Sequence, residues 1–228
     1  MTAGNGMRLV GWLLAALLVT GASAGGGSKK EVKAALNGIS KALKGLGGVV
    51  ADVEYSDFIE DRAVDGTGKL YVSFAGVVRA DIGGDVPRTI LFNPPHLYIH
   101  WKDDQVVDVY DVTSNPDRLG QYIMLGFVPS GSALKAQYDV QLARDNVLDG
   151  KPVQSFVIIP KFTQVARAVK RIQLWVDPDS GLPVKHEVAH ASGLSRLVVR
   201  YLTMVRDDEL PGSLFQPRWP EGTTIVRK

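Results

Sequence analysis

The sequence predicts a mainly β domain, with about eleven short strands in one curled, antiparallel, meander-like sheet, joined by one long helix and two short ones. Three observations point there. From Val49 onward, runs rich in β-branched and aromatic residues recur at short spacing. Clusters of Gly, Pro, Asp and Asn separate those runs. The one long helical periodicity stands ahead of the first strand, over residues 29–46.

The first two dozen of the 228 residues are unlike the rest. Arg8 is the only charge before Lys29. An apolar run from Leu9 to Val19 follows it, and then the small residues Thr20-Gly21-Ala22-Ser23-Ala24. A positive start, a short apolar stretch and an Ala-x-Ala end read as a secretory signal peptide cleaved near Ala24. The run is shorter than the ~20 residues of a bilayer-spanning helix, which argues against the alternative of an uncleaved anchor. Residues 1–24 are thus expected to be removed, 25–28 (Gly-Gly-Gly-Ser) to be a flexible leader, and 29–228 to be a single domain.

Val32, Ala35, Leu36, Ile39, Leu43 and Leu46 fall on one face of the helix expected over 29–46. Lys30, Lys33, Lys41 and Lys44 mark a solvated face, with a membrane-binding helix as the lesser alternative, and Gly45, Gly47 and Gly48 end the helix. Strands are expected over 49–59, 69–74, 77–82, 88–92, 96–101, 105–112, 138–143, 153–159, 171–177, 184–191 and 197–205. Among the turn signals between them are Asp65-Gly66-Thr67-Gly68, Asn93-Pro94-Pro95 and Asp149-Gly150. Residues 116–126 and 130–137 read as short helices, with Asn115 and Ser130 or Ser132 as N-caps.

Alternation gives each strand an apolar face. It would turn inward Leu70, Val72 and Phe74, then Leu97, Ile99 and Trp101, and later Val153, Val157 and Ile159. Such a face must be covered. One long and two short helices cannot cover eleven strands. Either the sheet closes tightly on its own side chains, or it stays partly open with helices as a lid over a cavity. The pattern alone leaves both open.

Composition excludes several function classes. There is no cysteine, hence no disulfide, no thiolate chemistry and no lipid-modified cysteine. The formal net charge is +2, or +1 after loss of Arg8 (+2 − 1), too balanced to argue for nucleic acid binding.

Several segments together resemble the LolA-like superfamily of periplasmic lipoprotein carriers, above all its outer membrane lipoprotein-sorting branch. The N-terminal helix precedes a strand with an aromatic, Val53-Glu54-Tyr55, and then a strand with Arg79. Ile90-Leu91-Phe92-Asn93-Pro94-Pro95-His96-Leu97-Tyr98-Ile99, Gln105–Tyr110 and Tyr122–Phe127 follow in the matching order. So do Leu134…Tyr138-Asp139-Val140, Ile158-Ile159-Pro160-Lys161 and Ile172–Asp177 with Gly181-Leu182-Pro183. The end, Phe215…Trp219-Pro220-Glu221-Gly222-Thr223-Thr224-Ile225, is similar to the superfamily's closing aromatic–Pro–x–Gly strand. No single piece is specific; their order and spacing carry the match.

The resemblance implies a half-open, eleven-stranded antiparallel barrel with a helical lid, whose cavity receives acyl chains. The function it implies is periplasmic transport of a lipid or lipoprotein acyl chain between envelope membranes, with no bond made or broken. Its partners would be that acyl chain and membrane-bound donor and acceptor proteins. No catalytic residue, cofactor or metal is expected, and the protein is expected to be a monomer. The cavity lining would comprise Val53, Tyr55, Leu70, Val72, Phe74, Val78, Leu91, Leu97, Ile99 and Trp101. Met124, Leu125 and Phe127 would form the apolar face of the lid. One departure stands out. Where the well-studied carriers have an arginine and a proline that tie the lid shut, this chain has Phe74 and Ala75. Arg79 is a substitute for that lock or a plain exterior residue. An alternative function on the same fold is an envelope sensor that binds a lipidated or misfolded protein.

His186-Glu187-Val188-Ala189-His190 fits H-E-x-x-H, the signature of zinc metalloproteases. That chemistry needs a helix, where the two histidines sit about 6 Å apart on one face. The surrounding hairpins predict a strand instead, on which they would lie ~13 Å apart. A zinc hydrolase is therefore the lesser alternative. His96 and His100 share the same spacing on another expected strand and read as solvated or cross-strand residues. Trp175 and Trp219 read as core or rim aromatics.

Overall fold

The structure is a computed structural model and describes residues 27–60, 62–111, 131–167 and 169–228. The expected export segment, the short helix over 116–126 and the lid residues Met124, Leu125 and Phe127 lie outside the described residues. No helix among those described is long and apolar enough to cross a membrane.

Helix α1 spans Lys29–Leu43. The Ser28 hydroxyl accepts a hydrogen bond from the Glu31 backbone N–H, and the Glu31 carboxylate accepts one from the Ser28 backbone N–H. This reciprocal capping box satisfies two N-terminal donors. Ser28, expected in a flexible leader, is therefore the N-cap. The helix stops three residues before the expected Leu46. Lys44 is already extended, and Gly45 takes φ +82, a left-handed conformation open to glycine. Val32, Leu36, Ile39 and Leu43 are buried on one face.

The first half of the sheet is a meander: β1 Gly48–Ile59, β2 Arg62–Ser73, β3 Val77–Ile82, β4 Arg88–Asn93, β5 His96–Trp101 and β6 Val106–Asp111. Helix α2, Gly131–Gln137, leads into β7 Tyr138–Leu142. A small ribbon, β8 Val147–Leu148 and β9 Lys151–Pro152, turns through Asp149 and Gly150, both at positive φ. Then come β10 Gln154–Pro160, α3 Thr163–Ala166, β11 Val169–Val176, β12 Pro183–His190 and β13 Ser195–Arg206. A 3-10 turn at Gly212–Phe215 precedes β14 Thr224–Arg227.

Twelve of these strands form one sheet, in the order β14-β6-β5-β4-β3-β2-β1-β13-β12-β11-β10-β7. Every neighbouring pair is antiparallel except β14 and β6, which run parallel. The sheet is open, with β14 and β7 at its two edges. The expected half-open barrel is thus a curled sheet that does not close, and its twelfth strand is the C-terminal β14, in the segment that resembles the superfamily's closing strand.

Strand β2 begins at Arg62, well before the expected Lys69, and runs straight through Asp65-Gly66-Thr67-Gly68. These glycines do not make a turn. Gly66 pairs with Tyr55 and Gly68 with Val53. A Cβ on Gly66 would lie 2.3 Å from Tyr55 Cε1 and 2.2 Å from the Gly83 carbonyl oxygen. Glycine makes room for a ring here.

The register sorts side chains onto two faces. The inner face is the one on which α1 packs. On it Val49, Ala51, Val53 and Tyr55 stand opposite Val72, Leu70, Gly68 and Gly66. The rows continue through Val78, Ala80 and Ile82, then Phe92, Ile90 and Arg88, then Leu97, Ile99 and Trp101. On the far half, Phe156 and Ile158 pair with Leu174 and Ile172, and these with His186 and Val188. The buried face of α1 joins Val49, Val72, Val78, Phe92, Phe156 and Ile158 in one core.

Two sequence expectations are off by one face. Leu91 lies on the outer face, between inward Ile90 and Phe92. Val157 and Ile159 also point outward, and Phe156 and Ile158 take the inner positions. Both errors come from uninterrupted apolar runs, in which alternation has no phase.

The outer face has its own cover. Arg79 pairs with Asp81 at 2.8 Å and donates to the Leu214 carbonyl at 3.2 Å. The Asn93 side-chain amide donates to the Phe215 carbonyl at 2.9 Å. Trp219 stacks obliquely on Tyr98 and His100. The C-terminal segment is thereby held over β3, β4 and β5, where Leu91, Thr89 and His100 are buried. Arg79 is an exterior strand residue, and its partners among the described residues are Asp81 and this segment.

Candidate functional site

Helix α1 contributes to only one of two apolar clusters on the inner face. The second consists of Ala51, Val53, Tyr55 and Ile82, with Leu70, Ala80, Leu197, Val199, Tyr201 and Met204 packed around them. None of its members belongs to a helix. Val53 and Tyr55 are 4% exposed. Leu70, Ala80, Ile90, Leu97, Ile99, Val199 and Tyr201 are only half-buried. A sheet face sealed by a packed helix would bury such residues almost completely. This inner face carries a row of half-buried apolar side chains; Leu70, Leu97 and Tyr201 also pack against the core under α1, whereas no described helix residue joins the cluster around Val53 and Tyr55. The row starts under α1 at Val72 and Val78 and runs out to Gly66 and Tyr55, roughly 20 Å by strand rise.

The structure brings nine of the ten expected lining residues to this face: Val53, Tyr55, Leu70, Val72, Phe74, Val78, Leu97, Ile99 and Trp101. Leu91 is the exception. Sequence reasoning missed Ala80, Ile82, Ile90 and Phe92, and the contribution of β12 and β13 through His186, Leu197, Val199, Tyr201 and Met204. A single apolar phase through β3 would have found Ala80 and Ile82. The bulge between Asp52 and Val53, which shifts the register of β13, left Tyr201 unreadable.

Polar groups occupy two places on the apolar face. The first is Arg88 at the start of β4, opposite Ile82 and Trp101. Its guanidinium carbon lies 5.0 Å from the centre of the Tyr55 ring and 5.8 Å from that of Trp101. One of its nitrogens donates to the Val86 carbonyl at 3.3 Å and reaches the Tyr55 hydroxyl at 3.5 Å. The Trp101 indole N–H donates to Asp108 at 3.0 Å, and Lys228 pairs with the same carboxylate at 3.2 Å. The indole hydrogen bond, with Lys228 in support, holds the Asp108 carboxyl below its ordinary range.

The second polar place is His186 with Tyr201. His186 Nδ1 lies 2.9 Å from the Tyr201 hydroxyl. Burial pushes the imidazole down to about 4 and the phenol upward. Both are therefore neutral at pH 7, as suits an apolar surround.

The H-E-x-x-H segment is strand β12. His186 points inward to Tyr201, while Glu187 points outward and pairs with Arg196 at 3.6 Å. Adjacent residues of a strand face opposite ways, so this motif cannot assemble as it does on a helix. Among the described residues, no three His, Asp or Glu side chains converge on a possible metal position. His96 and His100 share the outer face of β5, against Tyr98 and Trp219.

No family model matches the chain, and no curated protein matches it by sequence. Solved structures do match. An uncharacterized conserved protein from Thermus thermophilus superposes with a TM-score of 0.55 at 11% identity, covering 87% of this chain and 99% of its own. The LolA superfamily protein NE2245 from Nitrosomonas europaea gives 0.43 at 14% identity, over 81% and 97%. The Mycobacterium tuberculosis lipoprotein LppX gives 0.45 at 13%, over 76% and 94%. At these identities the likeness concerns the fold alone.

Proposed function

We propose that this open sheet, LolA-like in its fold, receives a lipid or the acyl chain of a lipoprotein on its inner face and carries it between membranes of the cell envelope. The observation that supports it is the half-buried row Leu70, Ala80, Ile90, Leu97 and Ile99 beside the fully packed core under α1. An acyl chain leaves a membrane when an equally apolar site receives it, at ~0.8 kcal/mol per buried CH₂. The protein acts by burial, and no covalent step is involved. The leader ending near Ala24 would deliver the mature chain to the periplasm, where donor and acceptor membranes both lie within reach.

The test is transfer. The mature chain is mixed with donor vesicles containing a fluorescent phospholipid and with unlabelled acceptor vesicles. The expected result is movement of label at a rate proportional to protein concentration. Retention of label on the protein without delivery would instead mark a binding module that senses a lipidated partner. Absence of any label on the protein would refute both.

A further inference from the structure

Arg88 is out of place on an apolar sheet face unless something uses its charge. Its neighbours on the face are Ile82, Ile90, Trp101 and Tyr55. A guanidinium has five N–H donors. Among the described residues, Arg88 has only a carbonyl at 3.3 Å and a phenol at 3.5 Å as acceptors, and no carboxylate. The acid beside it on that face of the sheet, Asp108, is occupied by Trp101 and Lys228.

The position is nevertheless held firmly. The Tyr55 ring lies where Gly66 leaves room for it, and the Trp101 indole is fixed by its bond to Asp108. Arg88 stands between the two rings, whose faces favour a cation. Planar guanidinium nitrogens match carboxylate and phosphate oxygens in pairs. The apolar row Ala80, Ile90 and Ile99 begins directly beside it.

We infer that Arg88 is the head-group anchor of the site, and that the guest is an anionic amphiphile whose carboxylate or phosphate sits on Arg88 with its hydrocarbon along Ile90, Ala80 and Leu70. This rests on the apolar reading of the inner face, and adds to it a sign of charge and an orientation for the guest.

The experiment measures binding of palmitate and of hexadecanol, two probes with one chain length and different heads, to the mature wild-type chain and to Arg88→Gln and Arg88→Lys. Wild type should bind palmitate about tenfold or more tightly than hexadecanol, the scale of one charge-assisted hydrogen bond. Arg88→Gln should erase that preference while keeping hexadecanol affinity. Arg88→Lys should restore part of it, which also shows that the site still folds. Inorganic phosphate at millimolar concentration should not displace palmitate; displacement would mean a site for free anions and overturn the amphiphile. Equal wild-type affinity for both probes, or a preference that survives Arg88→Gln, would overturn the anchor yet leave the apolar site standing. Failure of both probes to bind would instead sink the proposed function.

Discussion

His186 and Tyr201 meet on the inner face with Nδ1 and hydroxyl 2.9 Å apart, on neighbouring strands β12 and β13. Their bond pairs the imidazole Nδ1 with the phenol hydroxyl inside an apolar wall. It also makes stability depend on pH.

The folded chain holds His186 near 4, against about 6.5 for a free imidazole. Between those values the unfolded chain binds the proton and the folded chain does not, so stability falls as pH drops from about 6.5 to about 4. The full difference is on the order of 3 kcal/mol. Thermal melting of the wild type should weaken through that window. His186→Gln should flatten the loss, whereas an unchanged slope would remove His186 as its source.

Gly66→Ala should destabilise the fold by about 1–3 kcal/mol, because the added methyl meets both the Tyr55 ring and the Gly83 carbonyl. Urea unfolding measures it. A neutral result would mean that β2 and β3 do not approach as closely as their pairing requires.

Leu91 and Ile99 make a pair of controls. Leu91 is fully buried on the outer face, and Ile99 is half-buried on the inner one. Leu91→Ala should cost about 2–5 kcal/mol of stability with retention of an acyl probe unchanged. Ile99→Asp should fold and lose the probe. The reverse pattern, read by melting and probe fluorescence, would place the site on the wrong face.

Arg79→Ala should loosen the C-terminal segment over β3, since Arg79 supplies its bond to Leu214 while Asn93 still holds Phe215. Limited proteolysis should then cut between residues 207 and 222 faster than in wild type. Acyl-probe binding should stay near wild type, because Arg79 is on the opposite face. Loss of binding with proteolysis unchanged would revive Arg79 as part of a closing device.

How legible this was in the sequence depended on local phase. Strands β3 and β5 were bounded to the residue, because Val77–Ile82 and His96–Trp101 lie between clear turn signals. The inner sets of Leu70 and Val72, and of Leu97 and Ile99, followed from polar residues or tyrosines between them. Ile90-Leu91-Phe92 and Phe156-Val157-Ile158-Ile159 offer no such alternation, because apolar residues occupy both faces of those strands. Gly66 and Gly68 read as a turn because local propensity does not report a ring packed across the strand. The Arg88 position was invisible for a similar reason. A lone arginine after a proline looks like surface until the register sets it between Tyr55 and Trp101.

The most direct measurement is photolabelling of the mature chain with a fatty acid carrying a diazirine near its chain end, followed by peptide mapping. Adducts are expected on the inner-face residues of β2, β4 and β5, among them Leu70, Ile90 and Ile99, and excess palmitate should suppress them. Adducts confined to the outer face, or labelling that palmitate does not reduce, would contradict the claim that this sheet shelters a hydrocarbon guest.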